Sequence, residues 1–303
     1  MKLKTLAIGA AVVIAGVLFA IAWHNTSLTS NAHTKINVVA GENFWGSLVS
    51  QIGGSHISLT TVISDPNADP HEQSASSTNA RAFAVADYVV LNGAGYDSWG
   101  DKLLASGGPS DRRVLTVAKL LGKKQGDNPH FWYNPAYVNR VVMQIAADLT
   151  SIAPKQGPYF KANTQKLQAQ LAVYQQQITD IAARYAGTPV AATEDIFTYL
   201  ATAAHLNLIS PASFTEAVAE GNDPPAKSVT EFQNQITSGS AKVLVYNKQT
   251  VTPLTTNMQH LAAANHIPVV AISETIQPPN APFQTWMGTQ VANLKAALEH
   301  AKQ

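Results

Sequence analysis

The sequence predicts an α/β protein of two lobes, each a mostly parallel sheet covered by helices, joined by one long rigid helix. Two observations carry that expectation. From Ile36 onward, short apolar runs alternate with helical patterns, the mark of repeated βα units and hence of parallel strands. The alternation breaks once, between Pro158 and about Tyr185, where a stretch rich in Gln, Ala, Leu and Lys has no internal Gly or Pro. A helix of that length runs ~40 Å. That spans a whole domain, so it reads better as a stiff connector between two lobes than as one surface helix of a single sheet.

The elements follow in order. Lys2 and Lys4 precede an uncharged, mostly apolar run from Leu6 to Trp23. Residues 1–24 are therefore expected to be a signal peptide or an N-terminal membrane anchor. Residues 25–35 form a polar linker rich in Ser, Thr and Asn. The N-terminal lobe, residues 36–154, opens with strand 36–40 and a helix over 43–52 that places Phe44, Leu48, Val49 and Ile52 on one face. Strand 56–63 follows, then the turn-rich loop Ser64-Asp65-Pro66-Asn67-Ala68-Asp69-Pro70. Ser76 or Ser77 caps a helix through about Ala86, before strand 88–91, a short helix 99–104 and strand 113–117. Asn134-Pro135 is a cap-plus-N1 pair that opens a helix through about Ile152. After the connecting helix, residues 155–186, the C-terminal lobe of 187–303 restarts with strand 189–192, helix 195–204 and strand 206–210. It ends with strand 242–246, a helix over 254–264, strand 267–272 and helix 283–301.

Composition sets the chemistry. Lys and Arg number 20 against 19 Asp and Glu, so no basic excess exists to drive counterion release from nucleic acid. The chain has no Cys. That excludes thiolate zinc sites, iron–sulfur clusters, cysteine nucleophiles and a lipid carried on cysteine. Any metal must be held by imidazole and oxygen.

In open α/β sheets ligands gather at the carboxyl ends of the strands. His71 follows strand 56–63, and His130 lies in the loop Gly126-Asp127-Asn128-Pro129-His130 after strand 113–117. Glu194 comes directly after strand 189–192, and Glu274 two residues after strand 267–272. Each alone has an ordinary structural reading: a loop histidine bonded to solvent, a glutamate at a helix start. Asp195 is read as supporting the start of its helix. Together, two neutral imidazoles and two carboxylates cancel the charge of one divalent ion, which avoids burying net charge. Zn²⁺ accepts such a set tetrahedrally, and Mn²⁺ accepts it if the carboxylates bind through both oxygens.

Several longer segments carry a family pattern: Asn43-Phe44-Trp45-Gly46, Asp69-Pro70-His71-Glu72, Asn92-Gly93-Ala94-Gly95-Tyr96-Asp97 and Asn128-Pro129-His130-Phe131-Trp132-Tyr133-Asn134-Pro135. Ala192-Thr193-Glu194, Val245-Tyr246-Asn247-Lys248-Gln249-Thr250 and Ser273-Glu274-Thr275 complete it. In these segments, over about residues 36 to 300, the sequence resembles the solute-binding receptors of zinc/manganese ABC importers. The resemblance implies that His71, His130, Glu194 and Glu274 bind one Zn²⁺ or Mn²⁺ ion between the lobes, as transported ligand rather than catalytic cofactor. It also implies an exported, monomeric, non-enzymatic receptor at the cell surface or in the periplasm, whose partner is an ABC permease in the cytoplasmic membrane. Four departures stand out: no lipidated cysteine, no histidine-rich acidic loop near Gln125–Pro129, Glu194 where many zinc receptors have His, and Glu274 where Asp is common. The competing readings are a metal-dependent surface hydrolase and a metal-carrying adhesion module. Against the hydrolase, His71-Glu72 is not followed by His at position 75, and neither G-x-S-x-G nor a P-loop occurs.

Overall fold

Strand β1, Ile36–Glu42, is buried at every position but Asn37, as expected for a parallel strand covered on both faces. In the computed structural model, which describes residues 35–65 and 76–301, it is joined by β2 (Ile57–Ile63), β3 (Tyr88–Leu91) and β4 (Arg113–Thr116). All pair in parallel in the order β2-β1-β3-β4, with Val38 facing Leu59 on one side and Tyr88 on the other. A second parallel sheet repeats the pattern. Its strands β5 (Pro189–Ala192), β6 (Asn207–Leu208), β7 (Val243–Asn247) and β8 (Val269–Ile272) run in the order β6-β5-β7-β8. In each sheet the order reverses beside its first strand. The loops after β1 and β3, and after β5 and β7, therefore diverge and leave a crevice at the strand ends.

Around the first sheet lie α1 (Asn43–Gly53), α2 (Ser77–Ala84), α3 (Ser98–Ala105), α4 (Val117–Leu121) and α5 (Pro135–Ile152). The connecting helix α6 runs from Gly157 to Tyr185. Around the second sheet lie α7 (Thr198–Ala203), α8 (Ala212–Ala219), α9 (Ala226–Thr237), α10 (Pro253–Ala264) and α11 (Phe283–His300). The Asn134 side chain caps α5 by accepting from the amides of Ala136 and Tyr137, with Pro135 at the first helical position.

Four details differ from the sequence reading. The five-residue α4 follows β4 with no break and stops at Gly122, whose left-handed backbone (φ 73°) ends the helix. Helices α8 and α9 fill a stretch that carried no assignment. The helix expected over 195–204 divides into a 3₁₀ turn, Asp195–Phe197, and α7. Strand 206–210 shortens to β6, an edge strand, although the Ile209 amide still bonds the Val190 carbonyl. The expected N-terminal segment 1–24, most of the linker and His71 lie outside the described residues.

Helix α6 is polar in composition yet buries a narrow stripe: Phe160, Thr164, Leu167, Leu171, Tyr174, Ile178, Ile181 and Tyr185. Their spacing alternates four and three residues, which keeps one seam inward. That seam packs on α1, α5 and α11, helices of both lobes. The same apolar cluster continues from Val38 and Phe44 through Trp132 and Leu171 to Phe197 and Trp286, so Ile36–Gln303 forms one compact unit.

Candidate metal centre

His130, Glu194 and Glu274 each offer a donor atom, and the three atoms lie within 4.8 Å of one another. The loop after α4 supplies His130, the C-terminus of β5 supplies Glu194, and the turn after β8 supplies Glu274. All three side chains are buried, and His130 Nε2 stands 3.8 Å from Glu194 Oε1. The structure thus brings together three of the four expected side chains.

The imidazole is aimed by its far nitrogen. His130 Nδ1 is hydrogen-bonded to Asn128 Oδ1 at 3.0 Å, with the Asp195 Oδ1 charge 3.3 Å away, and both favour the proton there. Asn128 is itself oriented, because its Oδ1 also accepts from the His130 amide and its Nδ2 donates to the Asp195 carbonyl. With the proton on Nδ1, the Nε2 lone pair points at Glu194. Asp195 stands in the first turn of its 3₁₀ segment, as read from the sequence, and additionally anchors the imidazole.

The carboxylates are held by neutral donors. Asn247 Nδ2 donates to Glu194 Oε2 at 2.8 Å and to Glu274 Oε1 at 2.7 Å. The Tyr96 hydroxyl donates to Glu274 Oε2 at 2.7 Å. Gln249 Oε1 accepts from the amides of Glu274 and Thr275, fixing that turn. Asn128, Asn247, Gln249 and Tyr96 all stand within the family-like segments, but a search for charged residues at strand ends passes over neutral amides and a phenol. A buried partner next to a candidate carboxylate is the signal that would have found them.

Electrostatically the cluster is unfinished. Burial, then the nearby Glu274 charge, pushes the Glu194 carboxyl up to about 8 from 4.5, against the opposing effects of His130 and Asn247. Burial pulls the His130 imidazole down, but the Asp195 hydrogen bond and the charges of Asp195, Glu274 and Glu194 outweigh it and leave it above its ordinary value. Burial and the Glu274 charge hold the Tyr96 hydroxyl protonated, as a donor must be. Two buried atoms, His130 Nε2 and Glu194 Oε1, have no hydrogen-bond partner, a costly state for polar groups out of water. A divalent cation satisfies both and removes the carboxylate repulsion, so the donor set fits such an ion. A cleft of about 800 Å³ reaches His130, with Asp127, Asp195, Glu216 and Glu220 among its lining residues and neither Lys nor Arg.

Solved structures with this architecture include the solute-binding protein FpvC of Pseudomonas aeruginosa in complex with Mn²⁺, at 17% identity and a TM-score of 0.71, covering 88% of this chain and 99% of that one. A crystal structure of ZnuA superposes with a TM-score of 0.67 at 19% identity, over 87% of this chain and 98% of that one. At these identities the likeness is one of fold. The manganese-binding lipoprotein MntA of Halalkalibacterium halodurans is 25% identical over 142 residues, which are 45% of this chain and 46% of MntA, so the chain spans about half the length of that relative. The family model described as "Zinc-uptake complex component A periplasmic" matches residues 38–297, and the chain belongs to that family.

Proposed function

We propose that the protein is the extracytoplasmic solute-binding receptor of an ABC importer, capturing one Zn²⁺ or Mn²⁺ ion between its lobes and delivering it to a membrane permease. One observation carries the reading: donor atoms from both lobes converge on one buried point, and two of them, His130 Nε2 and Glu194 Oε1, lack any hydrogen-bond partner. His130, Glu194 and Glu274 serve as ligands, and the family resemblance adds His71 as a fourth. Four protein ligands leave no open position of the kind a catalytic metal keeps for water, so the ion is cargo and the protein is not an enzyme. Membership of the family supports this assignment and the permease partnership.

The test is direct. Protein stripped with chelator, incubated with Zn²⁺ or Mn²⁺ and desalted should retain about one equivalent of metal, and retention below about a tenth overturns the reading. His130→Ala should weaken binding roughly ten- to hundredfold or more, as ligand loss demands. Unchanged affinity by calorimetry in that variant would remove His130 from the site.

A further inference from the structure

We infer that Asn247 is a specificity-determining residue, whose amide ties one oxygen of Glu194 to one oxygen of Glu274 and so biases the site toward an ion content with few donors, Zn²⁺, over one that seeks six, Mn²⁺. The inference rests on the metal-receptor reading above.

Its ground is geometric. Asn247 is buried at the end of β7, where its backbone is in register with Ile272 of β8 and the next amide, Lys248, bonds the Ile272 carbonyl. It therefore stands at the switch point of the second sheet, between the loops that carry the two glutamates. Its amide cannot be reversed. Oδ1 accepts from the Gln249 amide at 3.0 Å, so the NH₂ group must face the carboxylates. That group reaches Glu194 Oε2, Glu274 Oε1 and, at 3.0 Å, Thr250 Oγ1.

A carboxylate that chelates through both oxygens must turn until both face the ion. In Glu194, Oε2 is already taken by Asn247 while Oε1 has no hydrogen-bond partner, so the hydrogen bond favours binding through Oε1 alone, and drawing in Oε2 as well would strain or weaken that bond. Glu274 is fixed at both ends, by Asn247 on Oε1 and Tyr96 on Oε2, so turning it costs a contact as well. One oxygen from each carboxylate keeps the donor number low, which Zn²⁺ accepts tetrahedrally; Mn²⁺ prefers an octahedral, oxygen-rich shell. A neutral donor is essential to this arrangement, since Asp at the same position would set a third carboxylate against two.

The experiment compares wild type with Asn247→Ala and the similarly sized, non-ligating Asn247→Leu by competition calorimetry for Zn²⁺ and Mn²⁺, with X-ray absorption of the bound Mn²⁺ to count its neighbours. The expected result is a fall of about tenfold or more in the ratio of Zn²⁺ to Mn²⁺ affinity, with additional carboxylate oxygens around Mn²⁺ in the variants. Equal weakening for both ions, or an unchanged Mn²⁺ shell, would reduce Asn247 to a structural residue and overturn the inference. If Asn247→Ala does not fold, Asn247→Leu carries the comparison. Wild-type protein that binds neither ion would instead overturn the receptor reading, and this inference with it.

Discussion

Glu42 shows how much a single buried side chain can reveal. It ends β1, is fully buried, and neither carboxyl oxygen meets a hydrogen-bond donor. What faces it is Asp97, whose own carboxylate accepts from the amides of Asn92 and Gly93. Burial first, and the Asp97 charge second, raise the Glu42 carboxyl well above its ordinary value, so Glu42 is the member of the pair that holds its proton. The sign follows: between the unfolded value near 4.5 and the raised folded one, the native state holds the extra proton, so this group's contribution falls as pH rises through that window. Glu42→Gln keeps the donor and loses the titration. It should match wild type in thermal melts at pH 5 and exceed it by ~1–3 kcal/mol at pH 8; a deficit at pH 8 would contradict a Glu42 that folds protonated. Glu194 obeys the same sign, with its carboxyl at about 8 in the metal-free protein. If Glu194 is a ligand as proposed, metal binding at pH 7 should expel a proton, and buffer-dependent calorimetry should find release that fades above pH 9, while affinity falls as pH drops below about 8 and falls further as His130, held above its ordinary value, takes up its proton. Release that does not vary with pH would argue against a carboxyl and an imidazole as ligands. His130, Glu194 and Glu274 were legible in the sequence because charge at a strand end is a rule that needs no contact map. Glu42 was not, since a glutamate at the last position of an apolar strand looks like the start of a solvated loop until burial is known.

At the scale of elements, local signals were the legible ones. Asn134-Pro135 fixed the start of α5, and the absence of internal Gly and Pro fixed the extent of α6. Helices α8 and α9 lay hidden because their helical pattern sits among Pro and Gly at 211, 221, 224 and 225, which read as loop. The turn after β3 shows why a short motif needs its residue types. Gly93, Ala94 and Gly95 all take positive φ (77°, 59° and 95°), curling the chain so that Tyr96 reaches Glu274 and Asp97 returns to the Asn92 and Gly93 amides. A Cβ on Gly93 would lie 2.6 Å from Thr116 Cγ2 and 2.9 Å from Ala118 Cβ. Gly93→Ala should cost ~2–4 kcal/mol from strain and overlap and also weaken metal binding by displacing Tyr96. Calorimetric stability unchanged from wild type would show that the turn relaxes freely.

At the scale of the molecule, the two sheets share one strand order and face their switch points toward a common crevice. Alternation and one long helix made that architecture readable; the way α6 binds the lobes was not, because its apolar stripe is diluted by the polar residues between. Direct ties add to it: Asn43 Oδ1 accepts from the Ile276 amide, Ser47 Oγ from the Phe283 amide, and the Tyr133 hydroxyl bonds the Ser273 carbonyl. Metal loading is accordingly expected to leave the radius of gyration within ~1 Å of the stripped protein by small-angle scattering, in the range of preorganised binding. A larger contraction would mean that the lobes swing. The acidic lining of the cleft, Asp127, Asp195, Glu216 and Glu220, predicts metal association that slows as ionic strength rises, measurable by stopped flow.

The apolar seam that runs unbroken from the first lobe through α6 to the second has a temporal consequence. Prising the crevice open means wetting side chains such as Phe44, Trp132 and Phe197, at roughly 25 cal/mol for each Å² exposed. Thermal agitation seldom supplies that work, so any ion whose exit needed the lobes to part would leave on the slow clock of rare openings. On the proposed receptor reading, dwell time, more than tightness, would then separate a loaded protein from an empty one.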